Sequence, residues 1–284
     1  MVRLKMFDPI SLNLQIEYKP GAASGELAYR YGHLAGKKVK TVGEAYAEFN
    51  KLMGAPLNTL YRNTITDVVA TTHLISVNAR FQRDGIWSLG LISAMELLLR
   101  NYPEKDIADK CISSLIESVG MQESQLRAEA QEILSWVEGK SQDEITLSLK
   151  GEGTGPIAEI AKKAKSDEWW MYSRYFGLGL IKIMEVVGVE QTKDSSYAVM
   201  EKWMGPECLN KTVFTATEDS DTWFKVREKL EMMETLMKEI EIREKKRMAE
   251  RLEDRAEAAL RKAELEAQWE EEVKAAERAT SKGE

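Results

Sequence analysis

The stretch that decides the fold runs from Pro56 to Tyr102 and contains Phe81-Gln82-Arg83-Asp84-Gly85-Ile86-Trp87-Ser88-Leu89-Gly90-Leu91. Apolar residues recur at helical spacing on both sides of its Arg-Asp-Gly turn, which predicts two helices. Pro56 suits the first turn of the earlier helix, because its missing N–H group would be unpaired there anyway. Asp84 is a natural N-cap for the later helix, since its carboxylate can accept from an unpaired N–H group. We therefore predict one helix over about 57–77 and a second that begins after Asp84.

Helical signals continue on both sides of this stretch. Thr41 and Glu44 have the spacing of a capping box, in which a hydroxyl and a carboxylate satisfy unpaired N–H groups at a helix start. Further helices are predicted at about 41–53, 103–118, 121–138, 156–164, 168–188 and 194–204. Segment 139–155 is predicted to be a loop, and no alternating strand pattern of useful length is present. The pattern predicts an all-α fold, a helical bundle with a long projecting C-terminal helix.

One segment of the chain is repeated. Leu178-Gly179-Leu180-Ile181-Lys182-Ile183-Met184-Glu185-Val186-Val187 echoes Leu89-Gly90-Leu91-Ile92-Ser93-Ala94-Met95-Glu96-Leu97-Leu98, with identical residues at most positions. A glycine in a helix interior costs about 1 kcal/mol, so a helix that keeps one usually gains a close backbone approach. We therefore expect the two helices to pack at the centre of the bundle, touching at Gly90 and at Gly177/Gly179.

The character of the chain changes from about Ser220 onward. Apolar residues there step by four and three like the a and d positions of a coiled coil: Val226, Leu230, Met233, Met237 and Ile240. Residues 241–284 are near-neutral, more than half charged and contain acid–base pairs at i,i+4, such as Glu241–Lys245, Glu257–Arg261 and Glu270–Lys274. We predict an extended N-terminal arm over 1–40, a helical bundle over 41–218 and a long charged helix over 219–284.

Bulk properties exclude several classes of protein. The net charge of -7 argues against nucleic-acid binding, which needs clustered Lys and Arg. Two cysteines, Cys111 and Cys208, do not make a disulfide framework in a chain of this length. No apolar run reaches the ~18–20 residues of a membrane-spanning helix. Residues 1–40 are poor in serine and carry acids, which favours a mature N-terminus with a turn at Pro20-Gly21, although a residual piece of targeting sequence stays open.

The residues that could carry chemistry favour structural roles. His73 is the only histidine inside the predicted bundle, and no Glu-x-x-His pair accompanies it. We therefore expect it to be a half-buried core residue or a loop-anchoring residue rather than a metal ligand. The charged residues near the repeated helices are expected to form ion pairs that fix loops and helices: Arg83, Asp84, Glu96, Arg174 and Glu185. No catalytic set converges, so we predict no metal, no cofactor and no enzymatic activity.

Two further groups are candidates for partner or membrane contact. Trp169 and Trp170 either pack on the bundle or, if exposed, anchor a partner or touch a membrane. Lys245, Lys246 and Arg247 form a basic cluster that could lie near an anionic membrane surface.

The segment Thr72-His73-Leu74-Ile75-Ser76-Val77-Asn78, the quoted stretch around Asp84 and the block Tyr172-Ser173-Arg174-Tyr175-Phe176-Gly177-Leu178-Gly179-Leu180 together resemble the thylakoid formation protein family. The resemblance implies an all-helical, non-enzymatic factor for photosystem II biogenesis and repair. Such a factor would act at the stromal face of the chloroplast thylakoid, or at its cytoplasmic face in a cyanobacterium. Where the family usually has Tyr-Asp-Pro, this chain has Arg83-Asp84-Gly85, which keeps the cap but loses the proline.

The resemblance further implies a partner, the thylakoid FtsH-type AAA protease, whose accumulation the family supports. The leading hypothesis is therefore an accessory factor that binds this protease and associates peripherally with the thylakoid membrane. The alternative is a structural or linker subunit of a photosystem–antenna assembly, with photosystem or antenna proteins as partners. A helical enzyme is a third hypothesis.

Overall fold

The structure is a computed structural model that describes residues 25–280. Over that range the chain forms eleven α-helices, one 3-10 turn at Gly32–Leu34 and no β-strand, so the predicted all-α fold is confirmed. The helices are α1 (Glu26–Tyr31), α2 (Val42–Met53), α3 (Thr59–Ser76), α4 (Gly85–Leu98), α5 (Lys105–Ser118), α6 (Glu123–Val137), α7 (Gln142–Leu149), α8 (Pro156–Ser166), α9 (Arg174–Val186), α10 (Lys193–Met204) and α11 (Val213–Thr280).

The chain divides into two compact units, and the division falls between Thr217 and Glu218. The first unit contains α1 to α10 and the start of α11, and it holds the hydrophobic core. Its largest fully buried side chains include Trp87, Trp203 and Phe49. The second unit is the remainder of α11.

The centre of the first unit is the contact between α4 and α9, which meet backbone to backbone. A Cβ atom added to Gly90 would lie 1.8 Å from the carbonyl oxygen of Tyr175, and one added to Gly179 would lie 2.0 Å from that of Ile86. The arrangement is reciprocal, because each glycine touches the residue four places before the other glycine. Only glycine leaves room for two helices at this separation.

Gly177 has a different role from the one predicted. A Cβ atom there would meet the hydroxyl of Tyr172, in the segment just before α9, at 2.2 Å, rather than any atom of α4. The prediction failed because residues two apart on a helix point in different directions, so Gly177 and Gly179 cannot both face α4.

Aromatic packing surrounds the glycine contact. The rings of Trp87 and Tyr175 meet edge to face with centroids 5.7 Å apart. The buried hydroxyls of Tyr175 and Thr72 lie 2.8 Å apart, which connects α9 to α3. Burial raises the pKa of Tyr175 to about 12, so this hydroxyl stays neutral and able to donate.

Two helices begin at capping boxes, and the second of these helices was not predicted from the sequence. The box predicted at Thr41 and Glu44 begins α2. An equivalent box at Ser141 and Glu144 begins α7, so residues 139–155 are not the predicted loop. Helix α7 was missed because it has only eight residues between glycines, too few for helical periodicity to stand out.

Other boundaries also differ from the predictions. Helix α3 begins at Thr59 with Asn58 as its cap, so Pro56 lies before it. Helix α9 begins at Arg174 rather than near 168. Residues 26–34 of the predicted extended arm are helical, and Arg30 anchors them through a paired contact with Asp167 at 2.7 Å. The predicted turn at Pro20-Gly21 lies outside the described residues.

Helix α11 is continuous and starts earlier than predicted. The three predicted i,i+4 pairs form, with distances of 2.7 Å for Glu241–Lys245, 3.1 Å for Glu257–Arg261 and 3.6 Å for Glu270–Lys274. The predicted seam is only partly real: Val226 and Ile240 are exposed by 38% and 55%, whereas Leu230, Met233 and Met237 are half-buried.

The glycine contact generates a stability prediction. Gly90→Ala should destabilise the protein by about 2–3 kcal/mol, because its methyl group would overlap the Tyr175 carbonyl and force α4 and α9 apart. Gly43→Ala is the matched control, since a Cβ atom at this helical glycine would meet only the Thr41 hydroxyl, at an unstrained 3.9 Å, and the variant should gain up to about 1 kcal/mol. Urea unfolding measures both. Equal stabilities for the two variants would contradict the packing argument.

Candidate functional site

The N-terminal end of α4 carries the Arg83-Asp84-Gly85 turn singled out from the sequence. Asp84 caps the helix as predicted, and its Oδ1 accepts from the N–H of Trp87 at 2.8 Å. Gly85 packs directly on α6: a Cβ atom there would lie 2.7 Å from Cγ1 of Ile133 and 3.2 Å from the carbonyl oxygen of Glu129. A bulkier residue at this position would push α4 away from α6.

Arg83 binds α6 beside this contact. Its guanidinium lies 2.8 Å from Oε1 of Glu129, and the hydroxyl of Ser88 donates to Oε2 of the same carboxylate at 2.5 Å. Glu129 therefore connects the turn before α4 to the first turns of that helix. Arg174 is the exposed first residue of α9.

These groups line a cleft of about 260 Å³ between the start of α4, helix α6 and helix α8. Its walls combine apolar side chains with charges of both signs. The lining residues are Gln82, Arg83, Asp84, Gly85, Glu129, Glu132, Ile133, Pro156, Glu159, Ile160, Lys163 and Trp170. The acids outnumber the bases, so the cleft favours positively charged groups with some apolar surface.

Burial in the cleft raises the pKa of Asp84 from its usual 3.8 to about 7. The neighbouring Glu129 carboxylate acts in the same direction, because a second negative charge nearby is unfavourable. The backbone N–H groups of Trp87 and Ile86 and the ammonium of Lys163 act in the opposite direction. Near neutral pH the Asp84 carboxyl group is therefore partly protonated.

The repeated segments carry two further ion pairs. Glu96 of α4 pairs with Arg127 of α6 at 2.8 Å, and Arg127 also contacts Glu123 at 2.6 Å. Glu185, which occupies the position of Glu96 in the second repeated segment, pairs with Lys182 within α9 at 3.1 Å. The repeat therefore shares its glycine packing but not its ion-pair partners.

His73 is buried and holds the chain before α2. Its Nε2 lies 2.7 Å from the carbonyl oxygen of Lys40. Because a carbonyl oxygen only accepts, Nε2 must carry the proton. Nδ1 is buried and has no hydrogen-bond partner among the described residues. Over 25–280, no three His, Cys, Asp or Glu side chains converge in a way that could hold a metal ion.

The tryptophan pair packs within the protein. Trp170 is buried against Phe176, with ring centroids 5.0 Å apart. Trp169 is half-buried, and the Nε of Arg80 donates to its carbonyl oxygen at 3.0 Å. Packing on the bundle is therefore confirmed for both residues, and contact with a partner stays a prediction.

The basic cluster Lys245, Lys246 and Arg247 is exposed on α11. Lys245 pairs with Glu241 one turn earlier, at 2.7 Å. No helix among residues 25–280 is both long and apolar enough to cross a bilayer.

Comparison with known proteins identifies the family of this chain. Its sequence matches the thylakoid formation protein family over residues 41–252, most of its length. The chain belongs to the thylakoid formation protein family. Every residue that lines the cleft lies within the part that matches, whereas α11 continues beyond it.

Family relatives occur in plants and cyanobacteria. A rice protein named THYLAKOID FORMATION1, chloroplastic, is 25% identical over 221 residues, which cover 77% of this chain and 75% of that protein. The Arabidopsis thaliana protein of that name is 26% identical and covers 75% of this chain and 69% of its own length. Protein Thf1 of Crocosphaera subtropica is 24% identical, covering 77% and 91% of the two chains.

A solved structure supports the fold. The structure of Psb29 matches this family member with a TM-score of 0.61 at 21% sequence identity. The match covers 74% of this chain and 98% of the Psb29 chain.

Sequence reasoning found the turn but missed the residues that face it. Glu129, Glu159 and Lys163 come from two other helices, and nothing in their local sequence distinguishes them from ordinary surface charges. Two sequence signals bear on them: Gly85, which signals a close neighbour at the start of α4, and Arg83, which needs an acid.

The cleft generates a pH prediction. The folded chain holds the Asp84 proton up to about pH 7, whereas the unfolded chain releases it near pH 4, so this contribution to stability is full below pH 4 and disappears as the pH rises to 7. Asp84→Asn keeps a good cap and does not titrate. Its stability relative to wild type should therefore rise by about 1–2 kcal/mol between pH 4 and 7 and then level off.

Urea unfolding at several pH values measures this difference. Asp106→Asn, which changes an exposed acid in the first turn of α5, is the matched control and should lack the rise. A pH-independent difference for Asp84→Asn would show that the Asp84 carboxyl is ionised throughout this range.

Proposed function

We propose that this family member is a non-enzymatic accessory factor for photosystem II biogenesis and repair that binds and supports the thylakoid FtsH-type protease. The observation that carries the proposal is the family match over 41–252, which includes the whole glycine-packed core and the cleft. The relatives bear names of thylakoid formation proteins rather than of enzymes. The plant relatives are named as chloroplastic proteins, which favours a thylakoid-associated location.

The cleft is the surface that we assign to partner recognition. Glu132 and Glu159 lie on its rim and are exposed, while Ile133 and Trp170 give it apolar walls. Such a surface suits a partner segment with a basic side chain next to an apolar one, because the charge fixes its position and the apolar group contributes burial.

The alternative is a structural or linker subunit of a photosystem–antenna assembly. The observation that favours it is the continuation of α11 to Thr280, beyond the end of the family match at residue 252. A helix of this kind offers a long surface for a permanent neighbour.

The two functions predict different results in cells. Loss of the protein should lower the thylakoid level of the FtsH-type protease and slow photosystem II recovery after strong light. Complementation with Glu132→Lys/Glu159→Lys should reduce protease co-purification severalfold, because both rim charges are reversed. Glu138→Lys changes an exposed acid just after α6, outside the cleft, and should behave as wild type.

Quantitative co-purification and protease abundance are the measurements, and melting temperatures confirm that each variant folds. Normal protease abundance and repair, together with a missing photosystem subassembly, would favour the structural subunit instead. If the double variant co-purifies with the protease as wild type does, while deletion of the protein still lowers the protease level, the contact lies elsewhere on the protein.

We propose that association with the stromal face of the thylakoid is assisted by Lys245, Lys246 and Arg247. Each charge contributes about 1 kcal/mol near an anionic surface. Reversing all three to Glu should weaken binding to vesicles that contain anionic lipid, and raised salt should weaken wild-type binding too. As a control with the same change in charge, Lys225, Lys229 and Lys238, which are exposed on the same helix outside the cluster, are reversed to Glu instead. Equal binding by both triple variants would mean that net charge, not this cluster, matters.

A further inference from the structure

The part of α11 near and beyond the end of the family match has a regular seven-residue pattern. Positions that step by four and three over 248–273 lie along one side of the helix. We call them the tail seam, and they are Met248, Leu252, Arg255, Ala259, Lys262, Glu266, Trp269 and Val273. In α11 these residues are continuously helical, so the steps define a real surface.

The large apolar residues at both ends of the tail seam face solvent. Met248 and Trp269 are each exposed by 69%, Leu252 by 63% and Val273 by 39%. Covering such side chains removes apolar surface from water and is favourable. The tail seam therefore has reason to associate with another helix.

Charges on and beside the tail seam are sorted by position along it. The bases come first: Arg251, Arg255 and Lys262. The acids come last: Glu266, Glu270 and Glu272. The other acids of the first half, such as Glu250 and Glu257, fall on the opposite side of the helix, where they do not face a partner on the seam.

This arrangement points to one occupant. We propose that the tail seam pairs with the tail seam of a second copy of this chain, in antiparallel orientation. When the two tail seams lie side by side in opposite directions, Met248 meets Val273 of the second copy and Leu252 meets Trp269 of the second copy. Arg255 then faces Glu266, and Arg251 on the flank faces Glu272. Every one of these contacts occurs twice, because the pair is two-fold symmetric.

A parallel pair in the same register is disfavoured by the same charges. Arg255 would face the Arg255 of the second copy, and Lys262 and Glu266 would likewise face their own equivalents. Like charges at seam positions oppose association. The orientation is therefore selected by charge rather than by the apolar residues, which fit both orientations.

Small residues on one flank favour close packing of the antiparallel pair. Ala249, Ala256 and Ala263 repeat every seven residues beside the tail seam. In the proposed register Ala256 lies opposite Ala263 of the second copy, so no large side chain separates the two backbones there.

Existing ion pairs within the helix are weak competitors. Glu266 lies 3.7 Å from Lys262, and Glu270 lies 3.6 Å from Lys274. All four side chains are about two thirds or more exposed, and exposed pairs contribute little to stability. Replacing these ion pairs by contacts to a second copy therefore loses little free energy. The Arg255–Glu266 contact in the seam mainly fixes register, as polar groups in coiled coils do.

Sedimentation equilibrium of the full-length protein tests association. We expect reversible dimers at about 10–100 µM. Arg251→Glu should raise the dimer Kd about tenfold, because two attractive contacts become repulsive. Adding Glu272→Arg to that variant should restore the wild-type Kd, since the opposite charges are then exchanged. Arg261→Glu reverses a charge away from the tail seam and should leave the Kd unchanged.

Disulfide cross-linking tests orientation. Differently tagged chains carrying Leu252→Cys and Trp269→Cys are mixed and oxidised, while Cys111 and Cys208 stay buried. The proposal predicts a bond between the cysteine at 252 of one chain and that at 269 of the other. Bonds between two cysteines at 252 would overturn the antiparallel arrangement. A protein that stays monomeric at about 100 µM, or an Arg251→Glu defect that Glu272→Arg fails to restore, would overturn the proposal.

Discussion

The close approach of α4 and α9 is the constraint on which the first unit depends. Gly90 and Gly179 each press against a backbone carbonyl of the opposite helix, so neither position tolerates even a methyl group without separation of the helices. The contact leaves little freedom to the two helices, because side-chain packing can adjust whereas backbone contact cannot. It also places Trp87 and Tyr175 edge to face, which connects the glycine contact to the surrounding aromatic residues.

The candidate site inherits its geometry from this packing. Because α4 is fixed against α9, its first residue, Gly85, is held against α6, and the preceding turn cannot move away from Glu129. The result is a carboxyl group, Asp84, that caps a helix while it is partly removed from water. A cap favours the charged form and burial favours the neutral form, and in this cleft burial dominates.

Most of the helices and the central glycine contact could be predicted from the sequence, since both leave local signals. The helices leave apolar periodicity and capping residues, and the contact leaves a glycine that is unfavourable in a helix interior. The sequence predicted neither α7 nor the partners of Arg83 and Glu96. Helix α7 has a capping box at Ser141 like the one that begins α2 at Thr41, but the flanking glycines suggested a loop. Glu129 and Arg127 could not be assigned, because ion pairs between helices depend on how the helices cross, which single-chain patterns do not encode.

Helix α11 obeys different physics from the core helices. Beyond Ile240 its described side chains are exposed, so local charge pairs and good helix formers stabilise it in place of a core. A core helix must keep apolar residues on its buried face, whereas an exposed helix can distribute charge freely. Sorting bases before acids along one side is therefore not required for folding. Such a pattern has a consequence only when a second helix lies against it, and recognition there is sensitive to salt, unlike the buried glycine contact.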